Sequence, residues 1–298
     1  MQGPHRFLVD EASSGVRLDD FLAARLPSLS RMRIRTLVGR GRCSVNGAAA
    51  QSGRKLAEGD AVEMAPFEEA PNAMTPEPLP LEIVHEDEHV VVLVKPEGML
   101  AHPTRGVKRG TLANALSHHL NLARVEGEWI RPGLVHRLDR ATSGLMVVAK
   151  TREALTRLSQ HFHRRLVEKR YLAVLEGIVE EDALVIDAPI GRVAESSPAW
   201  GVTGEGKQAE TRLRVVERRG GRTLVELEPV TGRTNQLRVH CAHAGHPVVG
   251  DPWYARKPYA RLCLHAARLA FRHPSTNEPL EFFSPPPPEV LRALGERI

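Results

Sequence analysis

Between Pro66 and Pro80 the chain carries five prolines in fifteen residues, together with three glutamates. Each proline fixes its own φ and removes a backbone N–H, and it biases the preceding residue toward extended backbone. No helix or inner strand can run through such a segment, which has the composition of a semi-rigid, extended linker. The sequence therefore predicts a small module over residues 1–66, a linker over 67–80 and a larger domain over 81–298.

The first module reads as two helices followed by short strands. Leu18, Phe21, Leu22 and Leu26 recur at helical spacing before Pro27 and Ser28 break the pattern. Ser30 is a good N-cap for a second helix, whose apolar face is Ile34, Leu37 and Val38. Gly39 to Gly41 stop it, Asn46-Gly47 signals a hairpin, and Ala61 to Met64 reads as a strand. Between Ser30 and Lys55 lie seven basic residues and no acidic one: Arg31, Arg33, Arg35, Arg40, Arg42, Arg54 and Lys55. Positive charge concentrated in this way gains affinity for phosphate backbones through counterion release. The same face lacks the bulky apolar anchors of a membrane-surface helix.

Beyond the linker, strand-like runs at Leu81 to Val84 and Val90 to Val94 are followed by predicted helices at Thr111 to Leu120 and Thr151 to Phe162. Strand patterns then dominate, at Tyr171 to Leu175, Leu184 to Ile186, Thr211 to Val216, Leu224 to Leu227, Leu269 to Phe271 and Leu280 to Phe283. Many antiparallel-type strands with few helices indicate an α+β domain rather than a doubly wound sheet. No apolar run approaches the length of a membrane span, and the N-terminus lacks the apolar stretch of a secretory signal. Three scattered cysteines, Cys43, Cys241 and Cys263, fit a reducing compartment, so a cytoplasmic protein is expected.

Chemistry concentrates in Gly133 to Leu145, where Asp139 stands between Arg137 and Arg140 and a Thr142-Ser143-Gly144 turn is expected to close the segment. Arg-Leu-Asp-Arg strings are ordinarily solvated surface, but a carboxylate flanked by guanidinium groups is also held in its ionised form. Tyr171, at the start of a strand, could pack in a core or offer a ring on which a base stacks. In Pro229 to His240, Thr234 could cap a helix, and Arg233 and Arg238 offer guanidinium groups with bidentate geometry.

These blocks, with Lys95-Pro96, Gly98, His102-Pro103, Gly250-Asp251, Tyr254 and Leu264-His265-Ala266, resemble the RluA-type pseudouridine synthases, in the family's order and over about residues 81–284. The first module, roughly Val16 to Met64, resembles the RNA-binding module of the small-subunit ribosomal protein S-four type. Together they resemble the RluC and RluD members that modify large-subunit ribosomal RNA. The resemblance implies a catalytic domain built on a mixed, mainly antiparallel sheet with flanking helices, plus a small N-terminal α/β RNA-binding module. It implies an isomerase that converts uridine to pseudouridine in RNA, ribosomal rather than transfer RNA being favoured, with no external cofactor. No DNA or membrane partner is expected, and the oligomeric state is open with a monomer as the default.

By motif position the resemblance makes Asp139 the reactive carboxylate, as nucleophile toward base or sugar or as a base that removes a proton. Arg238 becomes its buried ion-pair partner, and Tyr171 the ring stacked on the target base. Arg137 resembles the residue that fills the space a flipped base leaves. Arg233 is expected to make a phosphate or structural contact, and Arg31, Arg33, Arg35, Arg40 and Arg42 of the basic first module are expected to contact RNA. One departure is visible: Asn235 stands where the family usually has histidine, which touches details of RNA contact.

Two tempting motifs are rejected. Gly201 to Lys207 has P-loop spacing, but Gln208 replaces the magnesium-binding hydroxyl and a strand pattern follows. His240, Cys241, His243 and His246 invite a zinc reading, but the cluster sits inside the arginine-bearing block, so no metal is expected. The rival to the enzyme reading is a catalytically silent RNA-binding protein, for which Asp139 would have no use.

Overall fold

The computed structural model describes residues 3–26, 29, 31–66, 75–104, 106–121, 131–194 and 199–295. Pro27, Ser28, Ser30 and linker residues 67–74 lie outside them. The chain divides into two compact units, residues 1–73 and 74–298.

In the first unit, β1 (His5–Leu8), α1 (Leu18–Arg25), α2 (Arg31–Gly39), β2 (Cys43–Val45), β3 (Ala48–Ala49) and β4 (Ala61–Met64) follow in order. The strands form a sheet in the order β1-β4-β2-β3. Leu18, Phe21 and Leu22 of α1 meet Ile34, Leu37 and Val38 of α2 over Val45, Val62 and Met64, as the helical spacing predicts. Asn46 and Gly47 both take positive φ, 53° and 77°, which suits the tight turn joining β2 to β3. Strand β1 has no counterpart in the sequence reading.

The second unit contains β5 (Glu82–Glu86), β6 (Val90–Lys95), α3 (Leu112–His119), β7 (Gly133–Leu134), β8 (Ser143–Ala149), α4 (Arg152–His163) and β9 (Glu168–Glu176). These are followed by β10 (Ala183–Asp187), β11 (Ile190–Arg192), β12 (Trp200–Val202), β13 (Glu210–Arg219), β14 (Arg222–Pro229), α5 (Gln236–His243), β15 (Leu264–Arg272), β16 (Pro279–Phe283) and α6 (Pro288–Arg292). One sheet runs β10-β13-β14-β9-β15-β8-β6-β5, with β16 on β15 and β7 on β8. Among the described residues only β15 and β8 pair in parallel within it, so the mixed, mainly antiparallel sheet of an α+β domain is what the chain forms.

The apolar runs are continuous because the sheet is covered on both faces. Val90, Val92, Leu145 and Val147 face Ala154 and Leu158 of α4, while Val91, Leu93, Met146 and Val148 face Leu112 and Leu116 of α3. Both helices are capped by a threonine: the hydroxyl of Thr111 accepts from the N–H of Asn114, and that of Thr151 from the N–H of Ala154. Thr75 and Glu77 are tied to the second unit, since the Thr75 carbonyl accepts from the Asn114 side chain at 2.8 Å and the Glu77 N–H donates to the Asn114 carbonyl at 3.1 Å.

Candidate active site

The Asp139 loop is pinned from both sides before it reaches the site. Leu138 is buried with Met146, Val148 and Ala266, and the N–H of Thr142 closes a turn onto the Asp139 carbonyl at 3.1 Å. On its outer side the Gly98 N–H donates to the Arg140 carbonyl at 2.8 Å, and Arg140 Nε donates to the Gly98 carbonyl at 2.9 Å. Lys95 is fully buried beneath this junction, its ammonium donating to the carbonyls of Pro96 (2.7 Å), Met99 (2.9 Å) and Arg140 (3.4 Å). Burial pulls the Lys95 ammonium down to about 8, against the attraction of Asp139 and Glu97.

The expected Thr142-Ser143-Gly144 turn is corrected: the turn is Asp139 to Thr142, and Ser143 already begins β8. Gly144 is needed for close approach, not reversal. A Cβ there would lie 2.4 Å from the Ala266 carbonyl oxygen, where β8 meets β15. Ala266 in turn pairs with Tyr171 of β9. The Leu264-His265-Ala266 block, opaque as sequence, is thus the strand that sets Tyr171 beside the Asp139 loop. Its His265 Nδ1 bonds Ser143 Oγ at 2.9 Å, and Arg261 bridges Ser143 (2.8 Å) and Glu97 (2.7 Å).

Arg238 comes from α5, whose start also departs from expectation. Thr234 does not cap it: Asn235 is the N-cap, in left-handed backbone with φ 55°. The Gln236 amide secures the loop instead, accepting from Thr231 Oγ1 (2.6 Å) and the Arg233 N–H (3.0 Å) while donating to the Glu210 carbonyl (2.8 Å). Arg238, almost wholly buried, binds Asp251 through Nε at 2.6 Å and Nη2 at 2.7 Å. Its third nitrogen, Nη1, lies 3.3 Å from Asn235 Oδ1 and 3.8 Å from Asp139 Oδ2. Arg238 therefore does face Asp139, but its tightest partner is Asp251, to which the sequence reading gave no role. Burial works against the Arg238 cation, but the hydrogen bonds and charge of Asp251, with Asp139 behind, hold its pKa above the ordinary arginine value.

The electrostatic expectation for Asp139 is reversed. Its pKa is raised, because burial outweighs the attraction of Arg238, Arg137 and Lys95, and Asp251 adds repulsion. Arg140 is turned toward Gly98, so only one of the two flanking arginines acts on the carboxylate. Tyr171 is pushed up in the same direction by burial and by Asp139, so its hydroxyl stays protonated at neutral pH.

Asp139, Tyr171, Arg238, Arg137 and Arg233 all line one cleft of about 850 Å³. Arg137 is exposed there, and Arg233 is half-buried with Nε on the Gln208 carbonyl at 3.0 Å. Arg31, Arg33, Arg35, Arg40 and Arg42 belong to the first unit. Arg31 and Arg35 are engaged there by Asp20 (3.0 Å) and Asp19 (2.6 Å), and Arg42 donates to the Pro66 carbonyl. The Gly201 to Lys207 segment runs from β12 back to Ile190, with which Lys207 exchanges two backbone bonds. The two ring nitrogens of His240 bond Thr211 Oγ1 and the Ala188 carbonyl. Among the described residues no group of three or more His, Cys, Asp or Glu could hold a metal, and no helix is long and apolar enough to cross a membrane.

The sequence model of the family described as RNA pseudouridylate synthase matches residues 89–243. A Bacillus subtilis (strain 168) protein named uncharacterized RNA pseudouridine synthase YlyB is 39% identical over 95% of each chain. The ribosomal large subunit pseudouridine synthase D of Nitrosomonas europaea is 38% identical, over 96% of this chain and 86% of its own. Among solved structures, human RNA pseudouridylate synthase domain containing 1 superposes with a TM-score of 0.58 at 30% identity, over 69% of this chain and 83% of its own. On the family match and on identity spanning nearly the whole chain, this protein belongs to the RNA pseudouridylate synthases, isomerases that act on RNA.

Proposed function

We propose that Asp139 is the reactive carboxylate of this synthase, acting as nucleophile or base on a uridine flipped into the cleft. Pseudouridine formation breaks the bond from the ribose C1′ to N1 of uracil and makes one from C1′ to C5. The proton on C5 is lost, and N1 gains one. The observation that carries the reading is the convergence of Asp139, Tyr171 and Arg238 in one cleft from three distant stretches of sequence. Arg238 offers the positive charge that favours an ionised Asp139. Tyr171 offers a ring for the base, and exposed Arg137 a side chain to occupy the gap left in the RNA, where extrusion costs a few kcal/mol.

Large-subunit ribosomal RNA is the favoured substrate, because relatives alike over nearly the full length carry that name; transfer RNA is the alternative. Arg233 and the arginines of the first unit supply phosphate contacts, and the enzyme works in the cytoplasm as a monomer, without DNA. Tritium release from ribosomal RNA labelled at C5 of uridine tests the proposal. Asp139→Ala abolishes release while RNA binding persists, and equal release by wild type and variant would overturn it.

A further inference from the structure

Lys169 is a half-buried cation in the cleft that the reaction outlined above leaves unused. It precedes Tyr171 by two residues in β9, and alternate residues of a strand share a face. Both line the cleft, whereas Arg170 between them points away and binds Glu226 at 2.9 Å. The Lys169 backbone stands one strand repeat, about 7 Å, from that of Tyr171, so it lies beside a ring stacked on Tyr171 rather than over it.

A charge taken out of water is costly unless it is paired. The carboxylates lining the cleft among the described residues are Asp139, Glu168 and Glu228. Glu168 is bound to Arg268 at 3.0 Å, Glu228 lies 3.8 Å from Arg212, and Asp139 faces Arg238. Among the described residues the Lys169 ammonium faces the Phe162 ring, 5.8 Å from its centroid, a cation–π contact too weak to replace a counterion. Phe162 stacks in turn on His136 at 4.6 Å, and that histidine is neutral, accepting the Val147 N–H on Nε2. Burial lowers the Lys169 pKa, and among the described residues no carboxylate offsets it. The wall thus presents a desolvated positive charge that lacks an anion.

On the reading that this cleft takes RNA, we propose that Lys169 binds a backbone phosphate of the RNA strand next to the flipped nucleotide. A phosphodiester supplies the full negative charge the ammonium lacks, which a uracil carbonyl does not. A phosphate contact also leaves a signature a carbonyl contact does not: it displaces a condensed counterion, so it enters the salt dependence of binding.

The test uses the full chain and a large-subunit ribosomal RNA transcript labelled at C5 of uridine, with KM, kcat and RNA affinity measured across a salt series. Lys169→Met keeps the stem on Phe162 and removes the charge. It raises KM about tenfold, leaves kcat within about threefold, and flattens the slope of log affinity against log salt by about 0.7–0.9. Lys169→Arg keeps both KM and slope. An unchanged slope for Lys169→Met overturns the proposal, as does a fall in kcat or Tm at unchanged KM, which would mark Lys169 as a support for the Phe162–His136 stack. Asp139→Asn runs in parallel: if it remains active, the reading of the cleft itself fails, whatever Lys169 does.

Discussion

Arg238 is held by Asp251 through two hydrogen bonds of 2.6 and 2.7 Å, and only its remaining nitrogen, 3.8 Å away, faces Asp139. The orientation of the guanidinium is thereby fixed from behind, before any substrate arrives. Its ring neighbours reinforce this: the guanidinium carbon sits 4.6 Å from the centroid of Trp253 and 5.6 Å from that of Tyr254. The Asp251 carboxylate also accepts the Trp253 and Tyr254 N–H groups at 3.0 and 3.3 Å, which shapes the platform it shares with Arg238.

Asp251→Asn releases one side of this clamp. Displacement of Arg238 by about 1 Å is expected to lower kcat on the order of a hundredfold. The acid limb of the pH–rate profile should move to lower pH, because the repulsion of Asp251 on Asp139 is removed and Arg238 no longer shares its charge. Loss of one charge from a buried pair is expected to cost about 3 kcal/mol of stability. An acid limb that moved upward would show that Asp251 does not act on Asp139 through charge.

Asp139 opposes folding at neutral pH. Its folded-state pKa is raised by burial, so its contribution to stability is present below the unfolded pKa and lost as pH rises through the folded value. Once ionised, the carboxylate is desolvated at a net cost, and Asp139→Asn should raise Tm at pH 7. The gain should shrink as the pH approaches the ordinary carboxylate range near about 4, where the wild-type group protonates as well. Calorimetry at both ends of this range checks the sign, and a Tm lowered at pH 7 would refute it. A reactive group that costs stability is a common trade-off in active sites.

What could be read from the sequence was what is written locally. Val90 to Val94 and Leu145 to Ala149 are unbroken apolar runs because both faces of the sheet are covered, and the helices expected over Thr111 to Leu120 and Thr151 to Phe162 form over Leu112–His119 and Arg152–His163. His5 to Leu8 escaped because four residues with two apolar positions are too short to show a period, and its pairing partner, Ala61 to Met64, lies more than fifty residues on. The role of Gly144 depends on Ala266, on a strand remote in sequence that only the folded sheet brings near, and that of Asp251 on how the loop after α5 folds back onto Arg238. The same holds for the charge on Asp139. Flanking arginines are visible in one dimension, whereas the burial that outweighs them exists only in three.

Gly144→Ala should be among the most damaging single changes in the second unit. The added Cβ would lie 2.4 Å from the carbonyl oxygen and 2.5 Å from the nitrogen of Ala266, both backbone atoms, and the residue has φ +124°. The parallel contact between β8 and β15 is confined to two residue pairs, so it has no neighbouring pairs to absorb the shift. Overpacking and backbone strain together are expected to cost about 2–4 kcal/mol, a fall in Tm of roughly 5–15 °C. Activity should fall at temperatures where the fold survives, since Ala266 also positions Tyr171. Thermal unfolding and tritium release measured on the same preparation separate the two effects.

Arg31 and Arg35 of the first unit are committed to carboxylates of its own fold, whereas Arg40 is exposed. Asp19 is fully buried and its pKa is lowered, first by the hydrogen bond from Arg17, against burial, and then by Arg35 at 2.6 Å. A lowered carboxylate pKa stabilises the fold above the unfolded value and loses that effect as pH falls through the folded one. Arg35→Ala should therefore destabilise the first unit at pH 7 by about 1–2 kcal/mol, with Arg17 still holding the carboxylate, and the deficit should fade in acid. Arg40 is exposed just beyond the end of α2, so Arg40→Ala should change stability by less than about 0.5 kcal/mol. If the first unit binds RNA, that variant flattens the salt dependence of affinity by about 0.7–0.9 in slope. Denaturation at neutral and acid pH, paired with RNA binding across a salt series, distinguishes the two residues, and an Arg40→Ala variant with an unaltered slope would remove Arg40 from the RNA contact.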